Sequence, residues 1–258
     1  MLAVTRHQSI LELIQAEGTV QVSDLSERFN VTAKTIREDL EKLEEKGLLK
    51  RIHGGAVVPR EGEEPLLPLQ IPNLKHASEK EAIALHALSY IQPNDVIALD
   101  AGSTTFEIAR RLPIMPLTVL TNDLLIMREL LPREDIRLVV PGGYRHRNVL
   151  VGNDALEWVT KLNVQKLFLS ATGVHDKFGL SVFTSELLDL KKAYLSGAKE
   201  VYGVADHSKF DRAALFTFAA LNELDVLITD DGLDEEVVRR YEGGSVRIER
   251  ASARSRQI

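Results

Sequence analysis

The sequence predicts an α/β protein in which a small N-terminal winged helix-turn-helix domain precedes a larger, mostly parallel, Rossmann-like α/β domain. Two observations support this fold class. Within residues 19–57, two short amphipathic helical patterns are followed by a basic segment and a glycine pair. Beyond residue 75, six short apolar runs alternate with helical patterns, which is typical of a parallel sheet that helices cover on both faces. At 258 residues the chain is long enough for both domains.

Three helices are predicted in the first domain. The apolar residues within 6–16 recur at helical spacing and predict the first helix. The second is predicted to follow Ser23, whose hydroxyl suits a helix N-cap, and to end at Asn30. Together these helices supply two sides of a small trihelical core.

The third helix carries a clear buried stripe. Thr32 is its predicted N-cap, and Ile36, Leu40 and Leu43 follow the i, i+4, i+7 pattern of one apolar face. Gly47 stands where a left-handed C-terminal cap belongs. In a helix-turn-helix, the N-terminal residues of the second helix of the motif read bases in the major groove, so the polar face of this helix is predicted to contact DNA.

A basic segment before Gly54 and Gly55 predicts a short wing, in which the glycines turn the chain back between two strands. Residues 1–58 hold eight Lys or Arg against nine Asp or Glu, so their net charge permits DNA binding without indicating it. The basic residues nevertheless gather at the recognition end, where phosphate contacts are made. The predicted DNA-binding residues are Thr32, Lys34, Thr35, Arg37, Lys50, Arg51 and His53.

The composition limits the chemistry and the cellular location that can be expected of the protein. The sequence has no cysteine, which excludes disulfides and thiolate chemistry. It has no apolar run of the ~18 residues that a membrane span needs and no signal-peptide pattern, so we expect a cytoplasmic protein without a membrane partner. The predicted organisation is a DNA-binding domain over 1–58, a linker with four prolines over 59–75, a larger α/β domain over 76–250 and a disordered tail over 251–258.

Five successive predicted strand ends in the second domain carry small or polar residues. Parallel sheets bind ligands beyond the carboxyl ends of their strands, often with a phosphate at a helix N-terminus. Glycines and hydroxyls suit an anion there, and lysines supply point charges. An arginine after the glycine pair either closes over the anion or lies on a loop. The predicted ligand-binding residues are Asp100, Gly102, Ser103, Thr104, Thr105, Asn122, Gly142, Gly143, Arg145, Lys191 and Lys209.

No metal site and no other cofactor is predicted. His146 and His175 are the candidate metal ligands, but neither has a second ligand residue at a spacing that would let both bind one ion.

Several motifs resemble those of the DeoR family of bacterial sugar-metabolism regulators. TIR-x-DL stands at Thr35–Leu40 and R-x-HGGA at Arg51–Ala56, while DAGSTT, TND, PGG, ATG and ADHSKF follow in the family's order. The resemblance implies a repressor of a carbohydrate-use operon that binds double-stranded operator DNA as a homodimer or homotetramer. It also implies a phosphorylated sugar as effector, and Lys191 and Lys209 among its contacts.

One residue departs from the family pattern. Glu38 stands where many members carry a second arginine. A glutamate there either accepts a hydrogen bond from a cytosine amino group or pairs with a lysine at helical spacing on the same helix, Lys34 or Lys42. The operator sequence therefore cannot be transferred from the family.

The second domain is also similar to ribose-phosphate isomerase, so the alternative function is a sugar-phosphate isomerase with an appended DNA-binding domain. Isomerisation needs a positioned carboxylate base. Where the isomerases carry a D-G-A-D segment, this chain has the sequence TGVH at 172–175, and Asp176 and Glu186 are the remaining candidates. The sequence therefore favours a sensor with an isomerase-like fold over an enzyme.

Overall fold

The computed structural model describes residues 6–7, 9–11, 13–14, 18–45, 49–57, 75–243 and 246–252. The chain divides into two compact units, Met1–Gln70 and Ile71–Ile258. The division falls inside the predicted linker, of which residue 75 alone is described.

The first unit has three helices and a three-stranded antiparallel sheet. Every described residue between 6 and 14 is helical and belongs to α1. The other elements are β1 (Thr19–Gln21), α2 (Val22–Phe29), α3 (Ala33–Glu45), β2 (Lys50–Ile52) and β3 (Gly55–Val57). The strand order is β1-β3-β2. The predicted wing is therefore confirmed, and β1 is a further strand that periodicity did not identify.

The boundaries of α2 and α3 follow from local chemistry. The prediction of Ser23 as N-cap is wrong, because α2 starts at Val22 with Gln21 of β1 in the N-cap position. The Ser23 hydroxyl instead donates to Asp24 Oδ1 at 2.8 Å. Asn30 ends α2 in the left-handed conformation with φ of 50°, which asparagine tolerates better than most residues. Thr32 Oγ1 accepts from Thr35 N at 3.2 Å and caps α3 as predicted. Gly47 lies outside the described residues.

The core of the first unit forms on the predicted stripe. Ile36, Leu40 and Leu43 are buried together with Ile10 and Ile14 of α1. Each such side chain contributes roughly 1.5–3 kcal/mol on burial. The stripe of α3 therefore fixes which face of that helix remains in solvent.

The second unit contains a seven-stranded sheet in which every neighbouring pair is parallel. The strands of this unit are β4 (Val96–Leu99), β5 (Leu117–Leu120), β6 (Ile136–Val139), β7 (Tyr144–His146), β8 (Val149–Val151), β9 (Val164–Ser170), β10 (Gly173–His175), β11 (Gly179–Val182), β12 (Ala198–Val204), β13 (Phe216–Ala219), β14 (Val226–Asp230) and β15 (Arg247–Ala251). Two small antiparallel sheets accompany the large one: a hairpin of β7 and β8, and a group with the order β10-β11-β13.

Six α-helices are described in this unit: α4 (Ala77–Leu88), α5 (Ser103–Arg111), α6 (Leu124–Leu130), α7 (Asn153–Val159), α8 (Leu188–Gly197) and α9 (Glu235–Glu242). Among the residues that the structure describes, no helix is long and apolar enough to cross a bilayer.

The predicted mixed α/β fold with a mostly parallel sheet is confirmed. All six predicted strands belong to the large sheet, and β15 joins it at one edge. β15 ends at Ala251, which is buried and lies one residue inside the predicted tail, while residues 253–258 are not described.

The order of the large sheet, β15-β14-β12-β9-β4-β5-β6, determines where a ligand can bind. The chain proceeds outward from β4 through β5 to β6, then crosses to β9 and proceeds the other way. This reversal places the topological switch point of the sheet at the carboxyl ends of β4 and β9, where sheets of this kind bind ligands.

Candidate functional site

The predicted base-reading residues lie at the N-terminal end of α3. Thr32, Lys34 and Arg37 are exposed, and Thr35 is half-buried. The hydroxyls of Thr32 and Thr35 lie 2.9 Å apart, which ties the first turn together. Exposed donors therefore line this end of the helix, as major-groove readout requires.

The wing presents the remaining predicted DNA contacts. Lys50, Arg51 and His53 are all exposed. Arg51 N donates to Glu44 Oε1 at 2.8 Å, and the Arg51 guanidinium lies 3.9 Å from carboxylate oxygens of both Glu41 and Glu44. Exposed ion pairs of this length contribute little to stability, so the arginine can exchange them for a phosphate.

Glu38 forms a surface pair with Lys34, the Oε1 and Nζ atoms being 3.9 Å apart. Both side chains are largely exposed. Of the two alternatives for Glu38, the helical ion pair is thus present in the protein, and the contact with cytosine stays a prediction.

Asp39, the acid of the TIR-x-DL motif, has a structural role that the sequence did not suggest. Its buried carboxylate accepts from Arg6 Nε at 2.5 Å and from Arg6 Nη2 at 3.1 Å, and His7 Nε2 lies 2.8 Å from Oδ1. Burial by itself would raise the pKa of Asp39, but the hydrogen bonds from Arg6 and His7 outweigh burial and lower it. Asp39 therefore fastens α3 to α1.

At the switch point, a buried ion pair joins α8 to the end of β4. Lys191 Nζ contacts Asp100 Oδ2 and donates to the Ser170 carbonyl at 3.0 Å. Ser170 N and Oγ donate to the same Asp100 oxygen at 3.0 and 2.9 Å. Lys191 and Asp100 are each 2% exposed. The structure thus brings these two predicted ligand residues together, each with protein partners.

The backbone between β4 and α5 passes close to β9 because residue 102 is a glycine. A Cβ on Gly102 would lie 2.5 Å from Ser170 Oγ. Thr105 Oγ1 donates to the carbonyls of Asp100 at 2.5 Å and Gly102 at 2.9 Å. Ser103 and Thr104 occupy the first turn of α5. The predicted loop is therefore a tight turn in which Thr105 has an internal role.

Unpartnered buried polar atoms surround this region. Among the described residues, Asn122 Oδ1, Tyr194 Oη and Asp206 Oδ2 have no hydrogen-bond partner within the protein. Burial, and next the charge of Asp100, raise the pKa of Tyr194 well above its ordinary value. Buried polar atoms of this kind usually bond to a water or a ligand.

The glycine pair and Arg145 lie on a separate hairpin. Gly143 has φ of 115°, and a Cβ there would meet the Val151 carbonyl at 2.4 Å. Arg145 Nε donates to the carbonyl of Arg147 at 2.7 Å. The hairpin attaches to the β5 end, since Leu150 N donates to the Asn122 carbonyl at 2.9 Å. No described contact joins Gly142, Gly143 or Arg145 to the Asp100–Lys191 pair.

Lys209 lies in a short 3₁₀ turn after β12. Within the parts of the chain that the structure describes, its ammonium group makes no hydrogen bond or ion pair. A neighbouring lysine was missed by the sequence analysis: Lys80 of α4 is buried, and its Nζ donates to the Lys75 carbonyl at 2.5 Å. Burial lowers the pKa of Lys80, which interacts with both Asp206 and Lys209.

Asp123, next to Asn122, is the N-cap of α6. The sequence did not identify it as a group with a shifted pKa. Its Oδ1 accepts from Leu125 N at 2.7 Å and from Ile126 N at 3.1 Å. Burial, opposed by these bonds and reinforced by the charge of Asp100, raises the pKa of Asp123 to about 6. The sequence signal for this cap is the Asn122-Asp123 pair directly after a predicted strand, since aspartate is a preferred N-cap residue.

Replacing Asp123 by Asn is expected to reduce the pH dependence of stability. The folded-state pKa lies above the ordinary 3.8, so the folded protein gains a proton first as the pH falls, and stability decreases as the pH rises through about 6. The rise of the pKa of Asp123 from 3.8 to about 6 corresponds to about 3 kcal/mol at most. Thermal unfolding at about pH 5 and about pH 7.5 measures this, with exposed Asp154→Asn of α7 as control. An equal pH response in D123N and wild type would contradict the assignment.

The candidate isomerase base is poorly suited to proton abstraction. Glu186 is exposed on a 3₁₀ turn. A backbone hydrogen bond, followed by one from Ser185, lowers its pKa. A general base near neutrality needs a pKa close to the working pH, so Glu186 lacks the environment of a catalytic carboxylate.

Comparisons with known proteins match both units. Residues 6–61 match the model of the DeoR-like helix-turn-helix domain, and residues 75–231 match the DeoR C terminal sensor domain. The HTH-type transcriptional regulator IolR of Bacillus subtilis (strain 168) is 36% identical over 240 residues, covering 91% of this chain and 94% of the relative. The glycerol-3-phosphate regulon repressor of Escherichia coli (strain K12) is 30% identical over 233 residues, covering 89% and 92%.

Among solved structures, the ribose 5-phosphate isomerase A of Methanocaldococcus jannaschii aligns with 52% of this chain and 55% of its own. The TM-score is 0.40 and the sequence identity is 18%.

Proposed function

Since the chain belongs to the DeoR family of transcriptional regulators, we propose that it represses a carbohydrate-metabolism operon and that a phosphorylated sugar controls its binding to operator DNA. The DNA-binding residues are those at the start of α3 and on the wing. The effector site is the crevice at the switch point of the large sheet.

The observation that carries the effector site is the buried Lys191–Asp100 pair surrounded by unpartnered polar atoms. In this pair Lys191 is a buried cation, and the carboxylate of Asp100 balances part of its charge. Lys209 adds an ammonium group that no described acid engages. A phosphorylated sugar offers hydroxyls for the unpartnered amide and hydroxyl atoms and a phosphate for the ammonium groups.

Control of DNA binding follows from linkage. An effector that binds one conformation of the protein more tightly shifts the population towards it, and operator affinity changes by the same coupling free energy. Helix-turn-helix regulators read two half-sites with two copies of the chain, so the proposed working form is a homodimer or homotetramer.

The rival function, a sugar-phosphate isomerase, has less support. The named relatives are transcriptional regulators, and the chain lacks the carboxylates of the D-G-A-D segment. Of the two remaining candidate bases, Glu186 is exposed and has a lowered pKa, and Asp176 Oδ1 lies 2.9 Å from His175 Nδ1. Purified protein is therefore expected to bind phosphorylated sugars without isomerising them.

Replacing Arg37 by Ala is expected to weaken operator binding about 10- to 100-fold, because a lost base or phosphate contact costs about 1–3 kcal/mol. If Arg37 contacts phosphate, the salt slope of binding also decreases by about 1. Fluorescence anisotropy with operator DNA at several salt concentrations measures both. Lys42→Ala is the matched control, since Lys42 is exposed near the other end of α3. An unchanged affinity and slope in R37A would contradict the recognition surface.

Replacing Lys209 by Ala is expected to abolish the effector response while operator affinity without effector stays as in wild type. The first measurement is a thermal-shift screen with phosphorylated sugars and inorganic phosphate, in which a ligand at a hundred times its Kd stabilises by about 2.7 kcal/mol. The exposed Lys192→Ala serves as control. A full response of K209A to the sugar that stabilises wild type would contradict this role for Lys209.

A further inference from the structure

A cluster of three potential metal ligands lies outside the residues assigned above. One ring nitrogen each of His76 and His207 and a carboxylate oxygen of Glu79 all lie within 4.8 Å of one another. His76 and Glu79 come from the start of α4, and His207 comes from the turn after β12. The fold thus assembles two imidazoles and one carboxylate from segments that are distant in the sequence.

We propose that His76, Glu79 and His207 bind a divalent transition-metal ion, with zinc as the best match. Two histidines and one glutamate form a ligand set that zinc accepts, leaving a fourth position for water or an exogenous ligand. Zinc suits imidazole together with carboxylate, whereas magnesium and calcium select oxygen ligands alone.

The distances agree with tetrahedral coordination. Ligand atoms about 2.0–2.1 Å from a tetrahedral zinc are about 3.4 Å from each other. His76 Nδ1 and Glu79 Oε1 are 3.4 Å apart. The imidazole rings of His76 and His207 meet edge to face with centroids 5.0 Å apart. Small side-chain rotations would bring the third ligand to the same spacing.

His207 is held in the manner typical of a metal-binding histidine. Its Nδ1 lies 2.7 Å from Asp230 Oδ2, which leaves Nε2 as the ligand atom. Asp230 is fully buried, and its carboxylate also accepts from His207 N at 2.7 Å and from Gly232 N at 3.0 Å. A Cβ on Gly232 would lie 2.7 Å from His207 Nδ1. The backbone therefore encloses the carboxylate–histidine pair, and the ring is oriented before any ion arrives.

Glu79 is likewise prepared as a ligand. Ser78 Oγ donates to Glu79 Oε2 at 2.8 Å, so the other oxygen, Oε1, faces His76. The three side chains are between one fifth and one third exposed, which allows an ion to enter from solvent. Nearby, burial lowers the pKa of Lys80, and the charge of Asp206 offsets part of that effect.

Metal titration of the full-length protein tests the proposal. After dialysis against a chelator, isothermal titration with Zn²⁺ is expected to give one site per chain. Co²⁺ is expected to give visible absorption bands of tetrahedral intensity. His76→Ala and His207→Ala are each expected to weaken Zn²⁺ binding at least tenfold and to remove the Co²⁺ bands. His76 is partly exposed, so H76A keeps the test decisive if H207A fails to fold.

His86→Ala and His175→Ala are the matched controls. Each of these histidines lies beside one carboxylate, His86 beside Glu249 and His175 beside Asp176, and neither belongs to a described three-ligand cluster. Both controls are expected to keep full Zn²⁺ affinity. Absence of a stoichiometric site in wild type, or equal Zn²⁺ affinity in folded H76A and wild type, would overturn the proposal. Neither result depends on which sugar is the effector.

Discussion

Replacing Asp39 by Ala is expected to destabilise the N-terminal domain by about 3–5 kcal/mol, because the buried guanidinium of Arg6 would lose its ion pair with the Asp39 carboxylate. Arg6 is 6% exposed and makes two hydrogen bonds to the Asp39 carboxylate. Small domains have total stabilities of about 5–15 kcal/mol. The variant should therefore unfold in its first unit at much lower denaturant and lose operator binding, although Asp39 is too buried to contact DNA.

Glu38→Ala provides the control, since Glu38 precedes Asp39 and is exposed with a long ion pair to Lys34. Its effect on unfolding should stay within about 0.5 kcal/mol. The double variant Arg6→Met, Asp39→Leu should recover most of the lost stability, because it removes the buried Arg6 charge together with the Asp39 carboxylate that it pairs with. Unfolding of D39A at the wild-type denaturant concentration would show that α1 and α3 do not depend on this pair.

Lowering the pH is expected to weaken the contact between Arg6 and Asp39. The net effect of burial and of the bonds from Arg6 and His7 is a pKa of Asp39 below the ordinary 3.8. The pair therefore contributes its full stability above about pH 4 and loses it as the pH falls through the folded-state pKa. The loss belongs to the first unit and is separate from the effect of Asp123, which appears near pH 6.

The parts of the fold that were predicted from sequence are those encoded by local periodicity. Buried runs such as 96–100 and 166–170 have the length and apolar content of interior strands, and all six predicted strands form. β15 was missed because three of its five residues, Arg247, Glu249 and Arg250, are charged. Such an edge strand has solvent on one side and lacks the continuous apolar run of an interior strand.

The pairings within the site could not be predicted in the same way. Asp39 meets Arg6 across 33 positions, and Lys191 meets Asp100 across 91. No local pattern specifies which element will pack against which. Of the residues expected to bind the ligand, Gly102 lies in the turn after β4, and Lys191 of α8 meets Asp100 beside it. What sequence reasoning missed there is that Lys191 already has a buried protein partner.

Replacing Lys191 by Met is expected to cost about 3–5 kcal/mol in the second unit, because Asp100 would keep a buried charge without its cation. Methionine preserves most of the side-chain volume and so isolates the charge. The contact of Lys191 Nζ with the Phe218 ring, at 4.8 Å from the centroid, is lost as well. Denaturant unfolding measures the cost. The exposed neighbour Lys192→Met should unfold like wild type.

The double variant Lys191→Met, Asp100→Asn separates a structural lysine from an effector-binding one. Removing both charges should restore part of the stability, so the unfolding data form a double-mutant cycle whose coupling energy is the strength of the pair. If Lys191 also binds the effector phosphate, the folded double variant will bind operator DNA normally and fail to respond to the phosphorylated sugar. A normal response in that variant would show that Lys191 holds α8 against β4 and does not bind the effector. It would also leave Lys209 as the cation that recognises the ligand, so the two lysines can be assigned independently.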